Sequence, residues 1–222
     1  MKAPLPGRIR LLLLLAGLGM PAIARAQEAG AVVRRAGATY RSLTSLQAEF
    51  SQVIEDASLG DTLRTSGRLY QAGPNAFAMR FEDPPGEAIV IDGKFVWLYF
   101  PSTTPGQVIR MRMETDPVYG ANLLAKILDR PAERYLSSWL RADTVGGRKV
   151  DVVAIVPRAD NLNFSKAILW LDSETALPRR IELDEAPGVR RILTLTRLRP
   201  NASIDRQQFE FKPPKGVRVI DQ

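Results

Sequence analysis

The chain has no cysteine and no histidine among its 222 residues. The absence of cysteine excludes a disulfide-linked scaffold and any thiol nucleophile. The absence of histidine removes the usual general base, the commonest metal ligand and every catalytic triad that depends on imidazole. Most hydrolase classes are therefore excluded, and the stability of the fold has to come from a hydrophobic core.

Common enzyme motifs are missing as well. The sequence has no GxGxxG loop, no Walker loop, no GxSxG elbow and no SxxK pair. Two carboxylate pairs, Asp172 with Glu174 and Asp184 with Glu185, could in principle serve glycoside chemistry, which needs two acids across a cleft. Both pairs lie beside predicted turns and have the composition of ordinary solvated loops. We therefore expect no catalytic residue, no cofactor and no metal site.

The N-terminus has the three regions of a secretory signal peptide. Lys2, Arg8 and Arg10 form a basic region, Leu11–Leu15 begin an apolar stretch, and Ala24-Arg25-Ala26 fits a small-x-small cleavage site. The apolar stretch is well short of the roughly 20 residues that a membrane-spanning helix needs. No cysteine follows it, so no lipid attachment is expected.

Removal of this leader defines a single exported domain. We expect residues 1–26 to be a cleaved signal peptide and residues 27–222 to form one periplasmic domain, because that length suits one core and not two. Four of the 31 basic residues and none of the 24 acidic ones precede residue 27, so the net charge falls from +7 to +3. The remaining basic residues are spread along predicted strands, which indicates a solvated face and no nucleic-acid partner.

The apolar residues first follow a helical period and then alternate. Val33, Ala36 and Tyr40 lie on one face of a helix predicted over residues 31–43. From Leu46 to Ile54 apolar and polar residues alternate, which predicts a half-buried strand. Asp92-Gly93 predicts a tight hairpin. Further strands are predicted at Leu63–Leu69, Phe77–Phe81, Ala88–Ile91, Phe95–Phe100, Val108–Met113, Val152–Val156, Ala167–Leu171, Pro178–Leu183 and Ile192–Leu198, with Gly146-Gly147 as one turn and short edge pieces within Phe209–Ile220.

Two short helices are predicted in the middle of the chain. Asp116-Pro117 is a suitable N-terminal cap, and Leu124, Ile127 and Leu128 form an apolar stripe behind it. After an interruption at Asp129-Arg130-Pro131, a second short helix is predicted to carry Leu136, Trp139 and Leu140.

These elements predict a mainly β fold with a few helices. A single antiparallel sheet of about ten or eleven strands curls, and closure removes its exposed edges. An incomplete antiparallel β-barrel follows. The strand Phe95–Phe100 is apolar on both faces, and the helices are the expected cover for its second face.

Aromatic and methionine side chains occupy alternating positions of consecutive strands. This pattern suits either a filled core or a pocket, and the unbranched thioether of methionine adapts to varied apolar partners. The residues of this stripe are Phe77, Met79, Phe81, Trp97, Tyr99, Met111 and Met113.

Several segments together resemble one family. In chain order they are Ser45–Gln52, Pro74-Asn75-Ala76-Phe77-Ala78-Met79-Arg80-Phe81, Ile91-Asp92-Gly93-Lys94 leading into Val96-Trp97-Leu98-Tyr99, Pro105–Val108 and Phe209–Val217. They run from near residue 30 to the C-terminus in the order found in the LolA periplasmic lipoprotein carriers. No single segment is specific, but their order is.

The resemblance implies an incomplete barrel with a lid of helices over a cavity for the acyl chains of lipoproteins. It also implies a monomer that receives cargo from an inner-membrane ABC exporter and passes it to an outer-membrane acceptor. Family members often have an arginine before the Pro-Asn step that helps to hold the lid closed, whereas this chain has Gly73; Arg68 and Arg80 are candidates to replace it. The residues expected to line the cavity are Phe50, Phe77, Met79, Phe81, Trp97, Tyr99, Met111, Met113, Leu124, Ile127 and Leu128.

Two other functions remain open at this stage. One is a lipoprotein- or lipid-sensing regulatory domain of the same fold, as in envelope-stress regulators that resemble LolA. Those regulators carry an additional C-terminal domain, whereas this sequence stops soon after Phe209–Val217, which favours a carrier. The other is a carboxylate-dependent periplasmic hydrolase acting through Asp172 or Glu174.

We predict that the exported protein begins at Gln27 and fractionates with the periplasm, because the leader has all three signal-peptide regions and no lipid-attachment cysteine. Intact-mass measurement of the protein recovered from the periplasmic fraction tests this prediction. Retention of residues 1–26 would contradict it.

Overall fold

The structure of the chain is a computed structural model that describes residues 22–73, 75–113, 122–159, 163–185 and 187–222. The predicted cap at Asp116-Pro117 lies outside these ranges. Three α-helices are present in the described part: α1 (Ala22–Ser42), α2 (Leu123–Leu128) and α3 (Pro131–Arg134), together with a 3₁₀ helix at Arg206–Phe209. None of the described helices combines the length and the hydropathy that a bilayer span requires.

Twelve strands form one sheet in the described part of the chain. The strands are β1 (Ser45–Asp56), β2 (Asp61–Ala72), β3 (Ala76–Asp83), β4 (Ala88–Asp92), β5 (Phe95–Tyr99), β6 (Gln107–Arg112), β7 (Tyr135–Val145), β8 (Arg148–Pro157), β9 (Lys166–Asp172), β10 (Pro178–Asp184), β11 (Val189–Pro200) and β12 (Arg218–Asp221).

The order across the sheet is β12-β6-β5-β4-β3-β2-β1-β11-β10-β9-β8-β7, so β12 and β7 are free edges and the sheet is unclosed. This arrangement confirms the predicted incomplete barrel. Neighbouring strands are antiparallel, except that the short edge strand β12 pairs with β6 in parallel.

Glycine turns join the strands where the sequence predicts them. Gly93 has a φ of 89° between β4 and β5. The carboxylate of Asp92 accepts hydrogen bonds from the amides of Lys94 at 2.8 Å and Phe95 at 2.7 Å. Gly146 and Gly147 have φ angles of 55° and 76° between β7 and β8. Both turns need the left-handed backbone that glycine adopts without strain.

The second predicted mid-chain helix is wrong, because Leu136, Trp139 and Leu140 lie on strand β7. Strand alternation places Trp139 on the opposite face from Leu136 and Leu140, so these three residues form no single apolar face. Leu136 and Leu140 point to solvent, whereas Trp139 packs against the main core. Pairing of β7 with β8 along its whole length therefore overrides the local helical pattern.

Helix α1 covers the inner face of the sheet, the face that carries Phe50 and Met79. It begins at Ala22, nine residues before the predicted start. Its buried stripe is Ala29, Val33, Ala36 and Tyr40, which joins the main core. At Gly37 an added Cβ would lie 2.6 Å from Cδ of Pro131 and 3.1 Å from the carbonyl oxygen of Leu128. The missing side chain at this position lets α1 pack closely on α2 and α3.

The outer face of β3–β6 has its own cover, the C-terminal segment (residues 204–221). Phe211 lies 5.5 Å from the rings of both Trp97 and Tyr99, and Phe209 is buried in the same cluster. Arg80 donates hydrogen bonds to the carbonyl oxygens of Gln208 at 2.8 Å and Glu210 at 2.6 Å. The prediction that helices cover the second face of residues 95–100 is therefore wrong, because the C-terminal segment lies there.

A buried carboxylate, Asp172, organises the turn between β9 and β10. Its Oδ1 accepts hydrogen bonds from the amides of Glu174 at 3.0 Å and Thr175 at 2.9 Å. Its Oδ2 accepts from Arg148 at 3.1 Å and Arg179 at 2.9 Å. Burial raises the pKa of Asp172, but these hydrogen bonds outweigh burial and hold the pKa well below its ordinary value.

We predict that Asp172→Asn lowers the free energy of unfolding at pH 7 by about 2 kcal/mol, because two guanidinium groups lose their shared carboxylate. The native pKa is below the unfolded pKa of about 3.9, so this stabilisation is complete above that pH and is lost as the pH falls further. Urea unfolding at pH 7 and pH 3 measures the effect.

The matched control for this experiment is Glu174→Gln. Glu174 belongs to the same ion-pair group through Arg148 at 2.7 Å, but its side chain is 78% exposed, so we expect little change. A loss in Asp172→Asn that is equally large at pH 3 and pH 7 would contradict the assigned role of the charge.

Candidate functional site

An apolar cavity of about 630 Å³ lies between the inner face of the sheet and α2. Strand alternation explains its lining, because Met79, Ile89 and Leu98 are successive cross-strand partners on β3, β4 and β5 and therefore share one face. The apolar residues that line the cavity are Ile54, Leu63, Met79, Phe81, Ile89, Leu98, Phe100, Met111, Leu123 and Leu193.

A stack of phenylalanine rings connects the cavity to the packed core. Phe50 and Phe81 meet edge to face with centroids 5.2 Å apart, and Phe81 meets Phe100 at 6.0 Å. Gly67 lies between Phe50 and Phe81 in the register of β1, β2 and β3. A Cβ at Gly67 would lie 2.1 Å from the carbonyl oxygen of Arg80, so this position requires glycine. The absence of a side chain there leaves room for the two rings to meet.

A buried polar group joins the helices to the sheet beside the cavity. The hydroxyl of Tyr40 on α1 donates a hydrogen bond to Oε1 of Gln71 on β2 at 2.7 Å, and it also bonds to the side chain of Asn122. Asn122 caps α2 by accepting a hydrogen bond from the amide of Ala125 at 3.1 Å. Burial raises the pKa of Tyr40 well above its ordinary value, although both hydrogen bonds act in the other direction. The hydroxyl therefore stays protonated and able to donate.

Polar side chains occupy the rest of the cavity lining. Arg191 donates to both carboxylate oxygens of Glu185, at 2.8 and 3.1 Å, and to Oε1 of Gln52 at 2.9 Å. Glu87 accepts a hydrogen bond from the hydroxyl of Ser102. Lys126 projects from α2 into the same lining. The further polar members of the lining are Thr65, Thr103 and Asn163.

The residues that the sequence assigned to an acyl-chain cavity divide into three groups. Met79, Phe81 and Met111 line the cavity. The second group lies in the main core beside it, with Met113 only partly buried: Phe50, Phe77, Met113, Leu124, Ile127 and Leu128. Trp97 and Tyr99 lie on the outer face under the C-terminal segment, so their placement in the cavity is wrong. Trp97 pairs with Val90 and Arg110, whereas its neighbour Leu98 pairs with Ile89 on the inner face.

Several lining residues were absent from the sequence-based set. Leu98 could have been found from cross-strand pairing, because it shares a face with Met79. Ile54, Leu63 and Leu193 lie on correctly predicted strands. The polar lining residues, Lys126 above all, give no signal in the sequence, because a single cation within a short helix usually faces solvent.

Neither candidate for the missing lid arginine occupies that role. Gly73 forms a turn with a φ of 58°. Arg80 holds the C-terminal segment, and Arg68, its cross-strand partner on the outer face, pairs with Glu82 at 3.1 Å. In the described part of the chain, the hydrogen bonds and ion pairs of Arg68 and Arg80 do not reach α1. The hydrogen bond from Tyr40 to Gln71 joins α1 to the sheet instead.

Three of the four carboxylates considered for catalysis, Asp172, Glu174 and Glu185, are engaged in ion pairs. Hydrogen bonds occupy both oxygens of Asp172, and Glu174 pairs with Arg148. Glu185 is bound by Arg191. Among the described residues, no group of three or more acidic side chains is arranged to hold a metal ion.

Comparisons with known proteins agree with this architecture. The model of the family described as outer membrane lipoprotein carrier protein LolA matches residues 41–212. An outer-membrane lipoprotein carrier protein of Alkalilimnicola ehrlichii is 29% identical over 221 residues, which cover 100% of this chain and 97% of the relative. A protein of the same name from Pseudomonas aeruginosa is 27% identical over 213 residues, covering 95% and 97%.

One solved structure has the same fold at low sequence identity. An uncharacterized conserved protein from Thermus thermophilus superposes with a TM-score of 0.55 at 15% identity, covering 88% of this chain and 100% of that one. The family model matches well over half of the sequence. The chain therefore belongs to the LolA family of outer membrane lipoprotein carrier proteins.

Proposed function

We propose that the protein carries lipoproteins across the periplasm by holding their acyl chains in the cavity beneath α2. The observation that carries this proposal is the apolar cavity of about 630 Å³ in a member of this family. Its size is within the range of about 300–1,000 Å³ typical of small-ligand pockets. Its apolar walls suit an acyl chain, which cannot cross an aqueous space while it is exposed to water.

The energetics favour capture and make release the difficult step. Each buried methylene contributes about 0.8 kcal/mol, so a chain of about 16 carbons offers roughly 12 kcal/mol of gross transfer free energy. Met79 and Met111 give the wall side chains that adapt to different ligand shapes and hold none of them rigidly. Such a lining lowers affinity enough for cargo to be handed on.

The helices are the part of the structure that could open for cargo. α1 and α2 cover the inner face, and the hydroxyl of Tyr40 links them to β2 through Gln71 and Asn122. Neutral hydrogen bonds contribute about 1 kcal/mol each, so this link is weak compared with the transfer of an acyl chain. Entry of cargo can therefore offset its loss.

The relatives are named outer-membrane lipoprotein carrier proteins, which supports lipoprotein cargo and an outer-membrane destination. We infer that the signal peptide delivers the protein to the periplasm, that an inner-membrane ABC exporter supplies the cargo, and that an outer-membrane acceptor receives it. The protein acts as a monomer and makes or breaks no covalent bond in this cycle. Physical transfer of the acyl chains is sufficient.

We predict that Met79→Glu abolishes acyl-chain binding while the protein stays folded. Met79 is 6% exposed, but it lines the cavity. A carboxylate at this position can be solvated there when no acyl chain is bound, and its charge keeps an acyl chain out. Displacement of a fluorescent fatty-acid probe measures binding, and thermal melting measures stability.

The matched control is Leu136→Glu, which makes a similar change on the outer face of β7, where the residue is 54% exposed. It should keep both binding and stability. Unfolding of Met79→Glu would indicate a filled core, in which an unpaired buried charge costs several kcal/mol. A folded Met79→Glu variant with full probe binding would remove Met79 from the site.

A further inference from the structure

Lys126 is a buried cation in the wall of the apolar cavity. The residue is 5% exposed, lies on α2 and contributes to the cavity lining. Its Nζ lies 5.5 Å from the ring centroid of Phe164, which is itself buried. Within the described part of the chain, no carboxylate oxygen lies within 4.0 Å of this ammonium group and no acceptor is hydrogen-bonded to it.

The nearby charges do not neutralise Lys126. Glu185 is the carboxylate that favours its charged form, but Arg191 already binds both oxygens of Glu185. Burial lowers the pKa of Lys126, and the positive charges of Arg134 and Arg191 act in the same direction. The lining also holds Glu87, which accepts a hydrogen bond from Ser102, so among the described residues Glu185 is the one carboxylate that acts on Lys126, and Arg191 already binds it.

A purely structural role does not account for this arrangement. A buried ammonium group costs free energy unless it is paired and hydrogen-bonded. Its contact with Phe164 returns about 1 kcal/mol, which is less than the cost of removing a charge from water. The (CH₂)₄ stem of lysine often covers apolar surface, but its head then normally lies in solvent. Here Lys126 is buried in the lining of a cavity that a ligand can enter.

We propose that Lys126 pairs with an anionic head at the end of an acyl chain, so that the cavity takes single-chain amphiphiles bearing a carboxylate or a phosphate as well as neutral acylated cargo. The inference rests on the proposed function in that it places an acyl chain in the same cavity. It adds a second class of ligand. The anionic head group that would pair with Lys126 is absent from a lipoprotein terminus that is acylated and uncharged.

The test compares three ligands that share one chain length: dodecanoate, methyl dodecanoate and dodecyl phosphate. Each is titrated below its micelle concentration into the mature protein at pH 7.5 by calorimetry. We expect dodecanoate to bind about tenfold tighter than its methyl ester, which is the effect of one hydrogen bond to a charged group in a buried site. A higher affinity for dodecyl phosphate than for dodecanoate would identify phosphate as the preferred head, and the reverse order would identify carboxylate.

Lys126→Met isolates the charge, because methionine keeps an unbranched side chain and suits the apolar wall. Lys126→Met should bind methyl dodecanoate as tightly as the wild-type protein does, but it should lose the tenfold preference for dodecanoate over the ester. Lys126→Arg should keep most of that preference. The matched control is Lys94→Met. Lys94 also lies 5.5 Å from an aromatic ring, that of Phe95, but it is exposed on the turn between β4 and β5.

The outcomes separate this inference from the proposed function. Equal affinity of the unchanged protein for dodecanoate and its ester, or a preference that survives in Lys126→Met, would overturn the role of Lys126 and leave the carrier function standing. Failure of all three ligands to bind would overturn both. If Lys126→Met does not fold, Lys126→Gln replaces it. The ratio of the affinities of the wild-type protein for dodecanoate and methyl dodecanoate remains decisive.

Discussion

The pairing of β1 with β11 is the contact on which the rest of the structure depends. Strands β1 to β6 follow one another across the sheet, and so do β7 to β11, but a single long-range pairing joins these two runs. Ten cross-strand pairs from Leu46 to Asp56 form this seam. The cavity lies across it, with Ile54 on one side and Leu193 on the other. The hydrogen bond from Arg191 to Gln52 closes the seam within the lining itself. A site built in this way exists only when strands far apart in the sequence have met.

This dependence explains how far the sequence could predict the fold. Alternation of apolar residues is local, so the strands around Phe50, Met79 and Leu169 could be located without knowing their partners. The face that each side chain takes depends on register, and a shift of one residue reverses it. Trp97 and Leu98 illustrate the difficulty, because both are apolar and only pairing with β4 and β6 decides which one faces the cavity. At Leu136 the apolar residues of an edge strand have a spacing that also fits a helix, and only the pairing of β7 with β8 decides between the two.

The boundary between core and cavity has the same origin. Met79 and Phe77 lie two positions apart on one strand and share a face, yet Met79 borders open volume and Phe77 is close-packed. Leu124, Ile127 and Leu128 of α2 are buried in the same core cluster as Phe77, whereas Leu123 and Lys126 of that helix line the cavity. Sequence pattern identifies residues that avoid water, but the volume left between them depends on where a six-residue helix comes to rest. The buried position of Lys126 on the same helix is a result of that geometry and could not be read from its neighbours.

The C-terminal segment has a consequence for how the molecule is made. Strand β12 and Phe211 come far later in the chain than the strands they cover. Because these later residues are the last to reach the compartment where the protein folds, β3 to β6 can pair before their outer face has a partner. During that interval Trp97 and Tyr99 remain exposed on a sheet whose edge at β6 is unpaired, a combination that favours aggregation. These later residues thus act as an internal protecting strand, and the delay before they dock sets how long the first half needs protection by other means.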